Sequence, residues 1–296
     1  MRLIDRLINC SSRDNETTLY PLYDIHVGAR TTAETLLRKH IKTIAADPNA
    51  LVILGGDILD AIKPQDGKRF DMDTFPDWLL EGDATTTRER LNDILSQQLN
   101  RTVNILQPIE GKIIGAICGN HEFTVQKYYN ENVQAALCRR LQCEDLTDES
   151  LIRLRFKCSS KMVTVIIYAR HGWGSSRTES AEAMKLRAMR SEWEVADVSL
   201  TGHTHLALVL PPKPILEIPR SGKLPDETIV RHRWAANPGC WLFSHSVGAS
   251  SYVSRSCYEA RPMMTCKIVI HPYGYRICKG GNDITRPHIE IRSITL

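Results

Sequence analysis

The sequence predicts an α/β sandwich. Short apolar, β-branched runs recur along the first two thirds of the chain, and amphipathic helical patterns alternate with them. The last third carries strands and turn marks with little helical signal.

The runs at 19–23, 51–54, 113–118, 162–169 and 198–201 read as buried strands. Pro21 falls inside the first, and its ring nitrogen has no ladder donor. A late start or a distortion is therefore expected there. A helix over 31–46 would open on a capping box of Thr31 and Glu34, bury Leu37, Ile41 and Ile44, and stop at Asp47-Pro48. A second, over 86–103, repeats the device with Thr86 and Glu89 ahead of Leu91, Leu95 and Leu99. A third spans 178–194, with Leu186, Met189 and Trp193 on one side. Beyond His205, Pro211-Pro212, Asn237-Pro238-Gly239 and Pro272-Tyr273-Gly274 mark turns.

A chain of 296 residues suits one domain, 1–296. The polar, Pro- or Ser-rich stretches 63–83, 213–233 and 244–261 read as insertions in it. Apolar residues at 42% and charged residues at 24% suffice for a full core. The net charge of +4 permits an anionic substrate but is too small to argue for nucleic acid by itself. No apolar run is long enough for a membrane span, and residues 1–10 lack a continuous apolar stretch of the secretory kind. A cytoplasmic protein is the expectation, with no membrane partner. Nine cysteines without a C-x-x-C pair argue against a disulfide framework and a zinc ribbon; Cys118 and Cys266 read as buried thiols. The oligomeric state has no signature in the sequence.

Each predicted strand is followed by candidate metal ligands: Asp24 and His26; Asp57 of Gly-Asp-Ile-Leu-Asp, the motif that ends at Asp60; Asn120 of Gly-Asn-His-Glu; His171; and His203 and His205 of Gly-His-Thr-His. In open α/β sheets ligands bind beyond the carboxyl ends of strands, so the five groups are expected on one rim. In D-x-H and H-x-H an extended segment would project both side chains the same way. Carboxylate, amide and imidazole donors together suit borderline divalent ions such as Mn, Fe, Co, Ni or Zn. Singly, each motif has a plainer reading. G-D-x-x-D also makes a strand-to-helix turn with a capping Asp, G-N-H-E a type I′-like turn, and His171 a core or loop histidine. The order of all five, each at a strand end, carries the specificity.

That order resembles the calcineurin-like metallophosphoesterase superfamily, whose D-x-H, G-D-x-x-D, G-N-H-[DE], H and G-H-x-H motifs it matches over about residues 20 to 206. Asn237-Pro238-Gly239 is similar to a further turn of that family. The resemblance implies a four-layer α/β/β/α sandwich of two mixed β-sheets flanked by helices. It implies two divalent metal ions, Mn first, one held by Asp24, His26, Asp57 and His205 and the other by Asp57, Asn120, His171 and His203. It implies His121 as proton donor, with Asp60 either orienting it or capping a helix; a hydrogen-bonding role alone is the plainer reading of His121. The expected chemistry is phosphoester hydrolysis by a metal-bridging hydroxide. The expected substrate is a phosphodiester of nuclease-like kind, DNA or RNA, or else a nucleotide or other small phosphorylated molecule. Lys63, Lys68, Arg69, Arg170, Trp173 and Arg177 are candidate nucleic-acid contacts, and Tyr252, Arg255 and Tyr258 a candidate lid. No Arg follows the G-D motif, which disfavours a Ser/Thr protein phosphatase, and a non-catalytic scaffold would be expected to have lost ligands.

Overall fold

The computed structural model describes residues 1–174, 178–217, 229–244, 262–279 and 282–296. Arg177, Tyr252, Arg255 and Tyr258 lie outside them, as do most of 213–233 and 244–261.

Two six-stranded mixed sheets form the centre. One runs in the order β1 (Arg2–Asn9), β6 (Glu149–Cys158), β7 (Lys161–Arg170), β8 (Val198–Leu200), β10 (Ile229–Asn237) and β9 (Leu208–Glu217). The other runs β12 (Asn282–Thr295), β11 (Met264–Lys279), β2 (Thr17–Leu22), β3 (Ala50–Leu54), β4 (Ile113–Ala116) and β5 (Glu144–Asp145). The helices are α1 (Glu34–Ala46), α2 (Asp77–Leu80), α3 (Ala84–Asn92), α4 (Ile94–Leu106), α5 (Asn120–Tyr129), α6 (Val133–Arg140) and α7 (Glu179–Glu192).

Side-chain alternation along β2 explains the layering. Tyr20 and Leu22 join a cluster with Leu37, Ile41 and Ile44 of α1, Ile105 of α4 and Leu137 of α6. Leu19 and Tyr23 point the other way, into a cluster with Ile152 and Phe156 of β6, Ile167 of β7 and Leu200 of β8. Both faces of the strand are buried, which is why its sequence is a continuous apolar run. Leu186 of α7 closes the far side against Ala235 of β10 and Leu210 of β9. The result is the four-layer α/β/β/α arrangement.

Pro21 neither delays nor distorts β2. The N–H of Thr18 and the C=O of Leu22 face β3, so even-numbered residues bond that way and Pro21 faces β11. Pairing with β11 covers only Thr17, Thr18 and Leu19, so no bond is lost at the proline.

Two expected caps are absent. The cap position of α1 is Ala33, without a side-chain bond, while the Thr32 hydroxyl donates to the His26 carbonyl. The missing cap costs about 1 kcal/mol. Leu37, Ile41 and Ile44, all fully buried, contribute about 1.5–3 kcal/mol each and outweigh it. The 86–103 pattern is two helices, capped by Asp83, whose carboxylate accepts from the Thr86 N–H at 2.8 Å, and broken at Asp93. The third helix starts as expected, with the Thr178 hydroxyl accepting from the Ala181 N–H. Within 63–83, Phe75 and Leu79 are fully buried, so that stretch anchors in the core. Among the described residues, no helix is long and apolar enough to cross a membrane.

His40 of α1 is 7% exposed, between the rings of Tyr20 and Trp241 at 5.7 and 5.3 Å. Burial pushes its pKa down to about 4. The folded protein therefore keeps His40 neutral where the unfolded chain, near 6.5, takes up a proton. Stability is lost as pH falls from the unfolded value toward the folded one. His40→Leu is expected to flatten this dependence by up to about 1.4 kcal/mol per pH unit between about pH 6 and pH 4.5. Urea melts of both proteins across that range check it; equal slopes refute it.

Candidate metal centre

Each expected ligand group follows the end of a strand. Asp24 and His26 follow β2, Asp57 and Asp60 follow β3, Asn120 follows β4, His171 follows β7, and His203 and His205 follow β8. β2, β3 and β4 are parallel, and so are β7 and β8, so their carboxyl ends share an edge in each sheet. The two edges meet: His171 Nε2 lies 3.2 Å from Asp57 Oδ2, and the His203 N–H donates to Asp24 Oδ2 at 2.8 Å.

The backbone that delivers these side chains is not extended, contrary to expectation. Asp24, His26, Asp57, His203 and His205 have φ of 48°, 52°, 49°, 71° and 58°. Side chains from D-x-H and H-x-H converge through left-handed turns, not through strand alternation. Such a conformation costs on the order of 1–2 kcal/mol per residue and persists where surrounding bonds over-determine it. Here the Asp24 N–H donates to Gly56 O at 3.1 Å and the His26 N–H to Asp57 O at 2.9 Å. Gly56 (φ 90°) and Gly119 must be glycines. A Cβ on Gly56 would lie 2.7 Å from His171 Nδ1, and one on Gly119 2.1 Å from the Asp57 nitrogen.

Three sets of ligand atoms lie within 4.8 Å of one another: Asp24, His26 and His205; His26, Asp57 and His121; and Asp57, His171 and His203. Asn120 Oδ1 adds an amide oxygen 3.0 Å from His171 Nε2 and 2.7 Å from His203 Nδ1. His26 Nε2 and His205 Nε2 are 3.2 Å apart. Asp24 Oδ1 is fully buried and accepts no hydrogen bond from the described residues, although His205 Nε2 is 3.5 Å away. An unsatisfied buried carboxylate oxygen is costly, and a divalent cation among these nitrogens satisfies it. Oxygen and imidazole donors so placed fit such ions.

Charge inside the cluster is consistent with that. Burial raises the Asp57 carboxyl, but the imidazoles of His171 and His121 outweigh it and hold the pKa well below the usual range. Burial lowers His171, yet Asp57 and Asp24 hold it up at about 10. His171 Nδ1 donates to the Gly55 carbonyl, so Nε2 faces Asp57, where a proton and a cation are alternatives. Burial lowers His26 and His203 and keeps their lone pairs available.

His121 is the second residue of α5, so G-N-H-E is a helix start and not an isolated turn. Its Nδ1 donates to the Asp60 carbonyl, which leaves Nε2 toward the cluster, 3.9 Å from Asp57 Oδ2. No helix begins at Asp60, so it caps none; its Oδ1 lies 3.5 Å from His26 Nδ1 and 3.8 Å from His121 Nδ1.

Three residues support the site in roles that their motifs do not announce. Glu122, 1% exposed, accepts from the N–H groups of Asp57, Ile58, Leu59 and Gly119 at 2.8–3.1 Å. It fastens the Asp57 loop to the Asn120 loop; its only sequence signal is its place directly after Asn120-His121. Burial and the Asp57 charge raise its pKa. Asn237 Nδ2 donates to Glu182 of α7 and to Thr204 Oγ1, both at 2.9 Å, steadying the turn between His203 and His205. The Trp241 N–H donates to the Asp24 carbonyl at 3.0 Å.

No protein-family model matches the chain, and no curated protein matches it. Solved structures do show likenesses. A predicted phosphoesterase from Streptococcus pneumoniae TIGR4 is 13% identical, with 94% of this chain and 99% of that one covered, at a TM-score of 0.34. The calcineurin-like phosphoesterase YfkN from Bacillus subtilis is 11% identical over 94% and 90%, at 0.41. The NAD nucleotidase NadN from Haemophilus influenzae is 11% identical over 94% and 50%, at 0.35, so this chain spans half of that protein. At such identities and TM-scores the chemistry of the site follows from its own residues.

Glu122→Ala would leave four buried N–H groups without their acceptor. A loss of about 3 kcal/mol or more in a urea melt of the metal-free protein is expected, together with weaker Mn binding. Wild-type stability and affinity in that variant would dismiss the clamp.

Proposed function

We propose that the chain is a metal-dependent phosphoester hydrolase, acting first on phosphodiester bonds of the nuclease-like kind. The observation that carries this reading is the convergence of seven donor residues on one rim, where Asp24 Oδ1 is buried without a hydrogen-bond partner among the described residues and has His205 Nε2 and His171 Nε2 at 3.5 and 3.9 Å. Asp24, His26, Asp57 and His205 are the set for one divalent ion; Asp57, Asn120, His171 and His203 are the set for the other, with Asp57 common to both and Mn the favoured metal. Bound there, divalent ions supply the positive charge that grips phosphate oxygens and acidifies water.

The other roles belong to the chain's own side chains. His121 keeps its Nδ1 proton on the Asp60 carbonyl, so Nε2 is the atom that hands a proton to the departing oxygen. Asp60 lies between His26 and His121 and positions both rings. Its acceptors fix the imidazole orientation that the proton transfer needs.

Arg170 and Trp173 favour a base-bearing substrate. The Arg170 guanidinium sits 4.2 Å over the Trp173 ring, two residues past His171, and the indole is 43% exposed. A cation beside an open aromatic face suits a phosphate backbone and a stacked base. Lys63 and Arg69 contribute less, because Glu131 and Asp66 already pair with them.

A panel with Mn tests the substrate class: bis-p-nitrophenyl phosphate, p-nitrophenyl phosphate, cyclic nucleotides and single-stranded DNA. Cleavage of the diester and of DNA is expected, with the DNA reaction weakened by salt. Turnover of nucleotides alone would favour a small-molecule enzyme, and no hydrolysis with any of Mn, Fe, Co, Ni or Zn would leave a scaffold. Asp57→Ala is expected to abolish turnover and strip metal. His121→Ala is expected to cut kcat by about a hundredfold or more while metal stoichiometry by elemental analysis stays unchanged. Full metal content in the Asp57 variant would overturn its bridging role.

A further inference from the structure

Helix α6 ends in a turn that brings two cysteines together. Its last residues are Cys138, Arg139 and Arg140; Leu141 caps it, and Gln142 turns into the left-handed region at φ 49°. The Cys143 N–H then donates back to the Cys138 carbonyl at 3.0 Å. That six-to-one bond is the Schellman closure, in which the side chains at the two ends commonly pack on each other. Here both ends are thiols, in the spacing C-x-x-x-x-C. A carbonyl and an N–H so bonded keep their Cα atoms within about 7 Å, the span a disulfide bridges without moving the backbone.

Both ends are anchored. Cys138 is buried in the cluster that holds Leu137 and Ile105, and Cys143 packs against the same cluster. Cys138 Sγ accepts from Gln134 Nε2 and donates to the carbonyl of Glu144, the residue after Cys143, both at 3.7 Å. Gln134 Nε2 in turn donates to the Ala116 carbonyl at 2.8 Å, and Glu144 pairs with Gly115 of β4. The sheet therefore fixes the turn on both sides. The Cys143 sulfur beside it, and then burial, push the Cys138 thiol up. Cys143 is half-buried and Cys138 buried, so solvent reaches Cys143 first.

We infer that Cys138 and Cys143 form a reversible dithiol–disulfide site, oxidised by a peroxide. The Cys143 sulfur attacks one peroxide oxygen and the O–O bond breaks. Sulfur keeps one hydroxyl as the sulfenic acid, and the other leaves as water with the thiol proton. The Cys138 sulfur then attacks the Cys143 sulfur; the S–O bond breaks, and that hydroxyl leaves as water with the Cys138 proton. The two thiols lose two electrons in all, and the peroxide is reduced to two waters. A dithiol reductant reverses the oxidation.

Treatment of the full chain with hydrogen peroxide, blocking with N-ethylmaleimide and unreduced tryptic digestion test this. Trypsin cuts at Arg139 and Arg140, between the cysteines, so the disulfide joins the two peptides on either side. That joined pair is expected as the main linked product, and dithiothreitol is expected to return both thiols to alkylation. Cys143→Ser should lose the joined pair. Cys138→Ser should leave Cys143 as a sulfenic acid that dimedone traps at least tenfold more than in wild type. Should that buried substitution not fold, mapping of wild type and Cys143→Ser decides alone. No joined pair in wild type, a link mapped instead to another pair such as Cys10 and Cys158, or equal dimedone trapping with and without Cys138 would each overturn the inference.

Discussion

Two carboxylates buried side by side are the constraint that organises this molecule. Asp24 and Asp57 are 0% and 2% exposed, at the carboxyl ends of adjacent parallel strands. Two such charges are tolerated only among positive groups or cations. Five imidazoles answer them: His26, His121, His171, His203 and His205. The high pKa of His171 and the low pKa of Asp57 are two faces of one balance, in which proton and divalent ion compete for the same lone pairs.

Holding that charge in place costs backbone strain. Five of the seven donor residues adopt left-handed φ, and the bonds that keep them so come from other loops. Glu122 is the most economical of these supports, since one carboxylate ties down four N–H groups on two loops. Asn237 does the same for the Gly-His-Thr-His turn, with Glu182 of α7 behind it. Position and strain thus reach outward to both helical layers, so the four-layer sandwich is a holder for the rim as much as a core.

Much of the fold was legible because its signals are local. The strand runs, the third helix and the turn-rich last third follow from side-chain periodicity over a few residues. The errors are local as well. Thr31 and Glu34 have the spacing of a capping box, yet tertiary packing holds α1 uncapped, and the cap Asp83 lies just outside the pattern that starts at Thr86. Pro21 looked disruptive because a strand's neighbours, and the side each residue bonds to, are not written in its own sequence.

The sequence by itself determined which donor atoms this protein has and that each stands just past a strand. Ligand type is a property of the residue, and strand ends are marked by short runs and glycines. Only the tertiary structure decided which atoms face one another. Asp57 and Glu122 are 65 residues apart, His26 and His205 are 179 apart, and no periodicity reaches across such spans. Left-handed turns and the tautomer of His121 arise when separate loops and layers pack together, and that contact geometry exists only in the folded chain.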